Sequence, residues 1–181
     1  DNDAATACLR QLGIAYVAAI LQDTGLYDLR GAGGIWVGKE YGKLPDGFGP
    51  RVARTPDPLG GWTHAGTARA LAAFLTLLWR GRLAPPTACR EMLGLLDRQG
   101  AWVGIGSWFL EGLTGATGPP RPVQRLYSKV GVYRQSNGDC AIVVRASEGV
   151  EHRYVAVGLD ASAQELRELI VALDTIAIMP P

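Results

Sequence analysis

The sequence predicts an α+β fold: a helical part over residues 1–121, then an antiparallel sheet and a C-terminal helix over 122–181. Three observations carry this. Apolar residues recur at helical spacing in four stretches before residue 100. Three strand-like runs separated by turn signals follow. A serine capping box then opens a last amphipathic helix.

Taken in order, residues 3–12 read as a short helix capped by Asn2 or Asp3, with Ala4, Ala5, Cys8, Leu9 and Leu12 at helical spacing. Gly13 interrupts it, and a second apolar helix covers about 14–22. Residues 30–62 are dense in Gly and Pro and read as a long irregular segment, a type that is often functional. Ile35-Trp36-Val37 is expected as a short strand that anchors it. Thr67 to Arg80 is apolar on nearly every side, the mark of a helix inside the protein. Pro86 suits the first turn of the next helix, which runs to about Arg98. Residues 125–133, 140–146 and 153–159 read as strands, with Asn137-Gly138 as the first hairpin turn and Ser147-Glu148-Gly149 as the second. The terminal helix opens at Ser162-Ala163-Gln164-Glu165 and presents Leu166, Leu169, Ile170, Leu173, Ile176 and Ala177 as its apolar face.

The composition excludes several classes. With 181 residues, 48% hydrophobic and 19% charged, the chain has the balance of a folded domain and not of a disordered one. A net charge of +1 lacks the basic footprint of a nucleic-acid binder. No apolar run reaches the roughly 18–20 residues of a membrane span. The opening Asp1-Asn2-Asp3 has no basic region of the kind that starts a signal peptide, and a chain beginning at Asp is expected to be a piece of something longer. Cys8, Cys89 and Cys140 are widely spaced and form no C-x-x-C; buried free thiols are expected, with one disulfide left open. Two histidines, His64 and His152, argue against a metal site, and no cofactor is called for.

Familiar motifs fail. Gly33 to Glu40 reads G-x-x-x-x-G-K-E and puts Glu40 where a phosphate-binding loop needs Ser or Thr for Mg²⁺. Neither G-x-G-x-x-G nor G-x-S-x-G occurs. What survives is Lys129. The chain has fifteen arginines but three lysines, and Lys129 lies in an apolar strand pattern, 126–132, beside Gly131. A cation, a small residue and free strand-edge N–H groups suit an anion or carbonyl site. A lysine that guards an edge strand against aggregation fits the same residues.

The arrangement resembles the penicillin-recognising serine hydrolases: the serine β-lactamases, D,D-peptidases and related esterases. Lys129-Val130-Gly131 is similar to their Lys-Thr/Ser-Gly strand motif. Asp1-Asn2-Asp3-Ala4-Ala5 resembles the class A Ser-Asp-Asn-x-Ala-Ala with its Ser removed. The segment from Thr67 to Leu83 resembles the helix after the omega loop, residues 30–62 fall where that loop lies, and the last helix matches the one over the sheet.

The resemblance implies a β-lactamase/transpeptidase-like fold lacking its N-terminal segment, and acyl transfer through an acyl-enzyme. The nucleophile, the Ser of Ser-x-x-Lys, is absent from the chain and is expected upstream of Asp1. Carried over residue by residue, Asn2 binds the substrate amide and Lys129 draws in its carboxylate. The Val132 backbone N–H serves the oxyanion hole, and Asp1, Val130 and Gly131 border the substrate. Val130 removes a hydroxyl that the family uses, and no Glu-x-x-Leu-Asn occurs in 30–62, which leaves Glu40 as a candidate deacylation base. His64 reads either as a further polar group of the site or as a hydrogen-bonder at the helix start. Trp36, Trp62, Trp102 and Trp108 either line the cleft or pack. The implied partners are a small-molecule or peptide substrate and the missing segment; the implied location is periplasmic or extracellular. A non-catalytic domain that binds cell-wall peptide or a protein, and an interaction domain of unrelated ancestry, are the competing readings.

Overall fold

The computed structural model describes residues 2–41, 55–98 and 106–179. By its internal contacts the chain divides into two units, Asp1–Leu71 and Ala72–Pro181.

The first unit opens with α1 (Asn2–Leu12) and α2 (Ile14–Asp23). Gly13 between them takes a φ of 84°, which a side chain would resist, and the two axes bend by 87°. No single helix among the described residues is long and apolar enough to cross a membrane. Two short antiparallel pairs follow: β1 (Tyr27–Asp28) with β2 (Gly33–Gly34), and β3 (Trp36–Val37) with β4 (His64–Ala65). The strand expected at Ile35–Val37 is therefore present, and it anchors the long segment through β4. Asp57 pins the described end of that segment. Its buried carboxylate accepts from Tyr27 Oη at 2.8 Å and from the backbone N–H groups of Gly60 at 2.6 Å, Trp62 at 2.7 Å and Leu59 at 3.1 Å. Burial pushes the Asp57 pKa up, but these donors outweigh it and leave the acid below its ordinary range.

Helix α3 (Ala68–Trp79) starts in the first unit and runs into the second. The second unit continues with α4 (Pro86–Leu96), α5 (Trp108–Glu111) and a π-helical turn, Gly112–Ala116. Three long strands form one sheet in the order β5 (Val123–Tyr133), β6 (Ser136–Ser147) and β7 (Val150–Ala161), all antiparallel, and α6 (Ala163–Ala177) closes it. Alternation along the strands builds two cores. Leu126, Val130, Ala141, Val143 and Ala156 face Phe109, Leu113, Leu166 and Ile170 of the α5–α6 layer. Tyr127 and Ile142 face Leu75, Leu78 and Cys89 of α3 and α4 on the other side. Gly158 lets α6 approach: a Cβ there would stand 2.5 Å from Leu166 Cδ2.

Several expectations need correction. The first hairpin turns at Arg134-Gln135, because Tyr133 pairs with Ser136. Asn137-Gly138 lies inside β6, at a shift in register between Asn137 and Asp139 against β7. The second turn falls within the expected Ser147-Glu148-Gly149, at Glu148-Gly149, both at positive φ, as a tight two-residue hairpin requires. On α6 the capping box is formed by Ser162 and Glu165, but Ile176 is exposed and the fully buried group of the last turns is Asp174. Of the three free thiols Cys89 is buried and Cys140 half-buried; Cys8 is exposed, since it occupies the outer side of α1.

Candidate functional site

In the second unit the site is built on β5, an edge strand with β6 on one side. On its other side the described residues pair at one point: Asp97 bridges Tyr127, and Arg98 N donates to Leu126 O at 2.9 Å. Alternation then sorts the motif. Leu126 and Val130 point into the α5–α6 core, so Lys129 and Gly131 lie together on the opposite face, both exposed. Lys129 Nζ donates to Val130 O at 2.8 Å. A Cβ on Gly131 would meet nothing within 4 Å, so the strand surface there is open to an approaching group. Val132 follows at 53% exposure, while Val130 is packed at 8%.

A buried polar cluster backs this segment. Asp139 lies directly across from Val130 in the β5–β6 register. Its Oδ2 accepts from Ser107 Oγ at 2.7 Å and from Phe109 N at 3.1 Å, whereas its buried Oδ1 has no hydrogen-bond partner among the described residues. Burial raises the Asp139 pKa to about 6 against the opposing pull of Ser107, the Phe109 amide and Arg98. Arg98 Nε donates to Ser128 Oγ at 2.8 Å. On the Lys129 face, Cys140 Sγ donates to Lys129 O at 3.4 Å, and burial pushes its thiol up to about 11, so it is not a nucleophile at neutral pH.

The first unit holds the other candidates. Asn2 begins α1 and is exposed; Asp1 lies outside the described residues. Glu40 is held by Arg10 of α1 through two parallel bonds, Nε to Oε1 and Nη2 to Oε2, each 2.8 Å. The Arg10 hydrogen bond holds the carboxyl of Glu40 below its usual range, which makes it a poorer base. Thr6 Oγ1 donates to Tyr41 O beside it. His64 sits in β4 and stacks on Tyr41, ring centroids 4.5 Å apart and planes 8° from parallel. Both ring nitrogens are buried and none of the described groups bonds them, unlike the helix-start hydrogen-bonder expected. Trp36 and Trp108 are packed, Trp62 stands 69% exposed beside a groove of about 280 Å³, and Trp102 lies outside the described residues. No cluster of potential metal ligands occurs among the described residues.

Sequence reasoning missed Asp57 and the Ser107–Asp139 pair. Asp57-Pro58-Leu59-Gly60 carries the signature of an Asx turn and was legible. Ser107 and Asp139 are 32 positions apart, and nothing local joins them.

An antiparallel sheet whose edge strand presents Lys-x-Gly, with helices on both faces, defines a β-lactamase-like α+β fold. The model of the β-lactamase enzyme family matches residues 1–176, and the chain belongs to that family. A solved β-lactamase from Sphaerobacter thermophilus has a similar fold, with a TM-score of 0.59 at 19% identity. The similarity covers 100% of this chain and 60% of that one, so the chain spans about three-fifths of the solved protein's length. No curated protein matches the chain.

Proposed function

We propose that the chain is the larger part of a serine acyl-hydrolase acting on an amide, lactam or ester, with its Ser-x-x-Lys nucleophile outside these 181 residues. The observation that carries this is the pairing of Lys129 and Gly131 on one exposed face of the edge strand, in a chain of the β-lactamase enzyme family. The serine oxygen adds to the substrate carbonyl carbon. The developing oxyanion is held by the backbone N–H of Val132 together with that of the serine. Collapse expels the leaving group, which takes up the serine's proton, and leaves an ester with the enzyme; water then hydrolyses it. Lys129 turns from its own strand carbonyl toward the substrate carboxylate. Gly131 keeps the path clear; by the family resemblance Asn2 is the candidate for the substrate amide, with Asp1 next to it in sequence. Glu40 is the candidate base for deacylation; its pairing with Arg10 weakens it, which favours slow turnover. Export to the periplasm or beyond follows from the same reading.

A second reading, a non-catalytic domain that binds cell-wall peptide or a protein, is favoured by the buried Val130, which offers no hydroxyl to a carboxylate. Labelling of the full-length protein with a fluorescent penicillin or a fluorophosphonate separates the two. The expected result is a covalent adduct whose rate of formation with the penicillin falls at least about tenfold in Lys129→Ala, the loss of one charge-assisted bond. A folded full-length protein that forms no adduct with either reagent overturns the first reading.

A further inference from the structure

The Lys129–Gly131 segment is backed by a buried acid that the proposed chemistry does not use. Asp139 is 1% exposed, faces Val130 across the β5–β6 pair, and ties β6 to the start of α5 through Ser107 and the Phe109 amide. Neighbouring strands lie about 4.8 Å apart, so its backbone stands one strand away from residue 130, with the carboxyl on the face that meets α5. One of its oxygens is sealed from solvent without a hydrogen-bond partner among the described residues. A carboxylate in such a place is screened by water much less than one on the surface.

We propose that Asp139 is a positioning residue for the edge-strand site: it fixes the strand that carries Lys129 and, through its charge state, sets the potential at the Val132 N–H group. When ionised it opposes an oxyanion held by that N–H group; when protonated it does not. Among the described residues few groups act on it. Arg98, after α4, favours the ionised form, as do the Ser107 hydroxyl, the Phe109 amide of α5 and the Cys140 amide of its own strand. The Cys140 thiol on β6 stays protonated. Burial works against them all and brings the change of charge to about pH 6.

This role deepens the acyl-transfer reading and rests on it for its meaning, but its test needs no turnover. In ¹⁵N-labelled full-length protein, the amide resonances of Val130, Gly131 and Val132 are followed from about pH 5 to about pH 8, a range centred near the titration. They are expected to move together with a midpoint near 6. Asp139→Asn should flatten the curves. Ser107→Ala removes a bond to the ionised form and should move the midpoint upward, which a purely structural Asp139 would not do. Ser107→Ala also supplies the test if Asp139→Asn does not fold. Resonances that do not titrate, or whose midpoint is unmoved in Ser107→Ala, overturn the role. If the amides titrate as expected and fluorescent penicillin leaves no adduct, the acyl-transfer reading falls while the coupling stands.

Discussion

Arg145 and Asp174 form a buried ion pair that fastens β6 to the closing helix α6. Asp174 is fully buried and also accepts from Arg121 at 2.6 Å and, on its other oxygen, from Tyr154 Oη at 2.7 Å. Three segments of the second unit thus converge on one carboxylate. Removing it leaves Arg145 buried without an opposing charge. Asp174→Asn is therefore expected to cost about 3–5 kcal/mol of folding free energy. Urea unfolding of the variant measures it, and a loss below about 1 kcal/mol, the range of an exposed pair, contradicts it. Arg145→Met combined with Asp174→Leu should recover part of the loss, because the most deeply buried charge no longer stands unpaired; Arg121, which also loses its partner, is partly exposed.

Asp139 gives a stability signature with a definite sign. Its folded pKa of about 6 lies above its ordinary value of 3.8, so the folded chain holds its proton more tightly than the unfolded chain. The penalty for a buried charge is absent below the unfolded value. It grows as pH rises from about 4 to about 6, and is constant above. The shift corresponds to about 3 kcal/mol at most. Asp139→Asn should therefore gain stability relative to the wild type as pH rises through that window. Urea unfolding of both proteins at several pH values reads the difference; a difference independent of pH would rule out the buried charge as its cause.

The pattern of what the sequence disclosed is itself physical. The helices α1–α4 and α6, the three long strands and the Ser162 cap depend on residues within one or two turns of one another, and each was legible at the residue scale; the short α5 and the π-helical turn, in a Gly-rich stretch, were not. Lys129 and Gly131 stood out because period-two alternation places them on one face whatever surrounds the strand. Asn137-Gly138 misled for the opposite reason. The dipeptide favours a turn by itself, but pairing of Tyr133 with Ser136, and of Asn137 with Ala161, extends the sheet past it. Ile176 was read as core, and the burial of Asp174 was not legible because its partners sit on three other segments. Ser107 and Asp139 share that property: each is an ordinary polar residue until the fold brings the other within 2.7 Å.

Val130 separates the family resemblance from this chain's own packing. The family's hydroxyl residue at this position is replaced by a side chain that sits among Trp108, Phe109 and Leu126. Val130→Thr therefore buries a hydroxyl among apolar groups and should destabilise the protein by about 1–3 kcal/mol. It should leave the rate of labelling by penicillin nearly unchanged. Chemical unfolding and the labelling assay check the two halves. A several-fold faster labelling with no loss of stability would mean that the residue 130 side chain reaches the substrate.

In the first unit His64 supplies the opposite pH dependence. Its ring lies flat on Tyr41 with both nitrogens sealed off, and burial, assisted by the charge of Lys39, lowers its pKa below the ordinary 6.5. The unfolded chain therefore takes up the proton first as pH falls. This residue's contribution to stability is constant above about pH 7, where imidazole is neutral in both states, and declines as pH falls through about 6.5. His64→Phe keeps the stack on Tyr41 and removes both buried nitrogens. It should flatten that decline and raise stability at neutral pH by up to about 1–3 kcal/mol, the cost of unsatisfied buried polar groups. The measurement is urea unfolding at about pH 5 and about pH 8, values on either side of the imidazole range. Because Asp139 changes stability in the other direction over part of the same range, both proteins are compared in the Asp139→Asn background. An acid loss as large in His64→Phe as in its parent would mean that His64 keeps its proton equilibrium unchanged on folding, and the buried neutral imidazole would have to be abandoned.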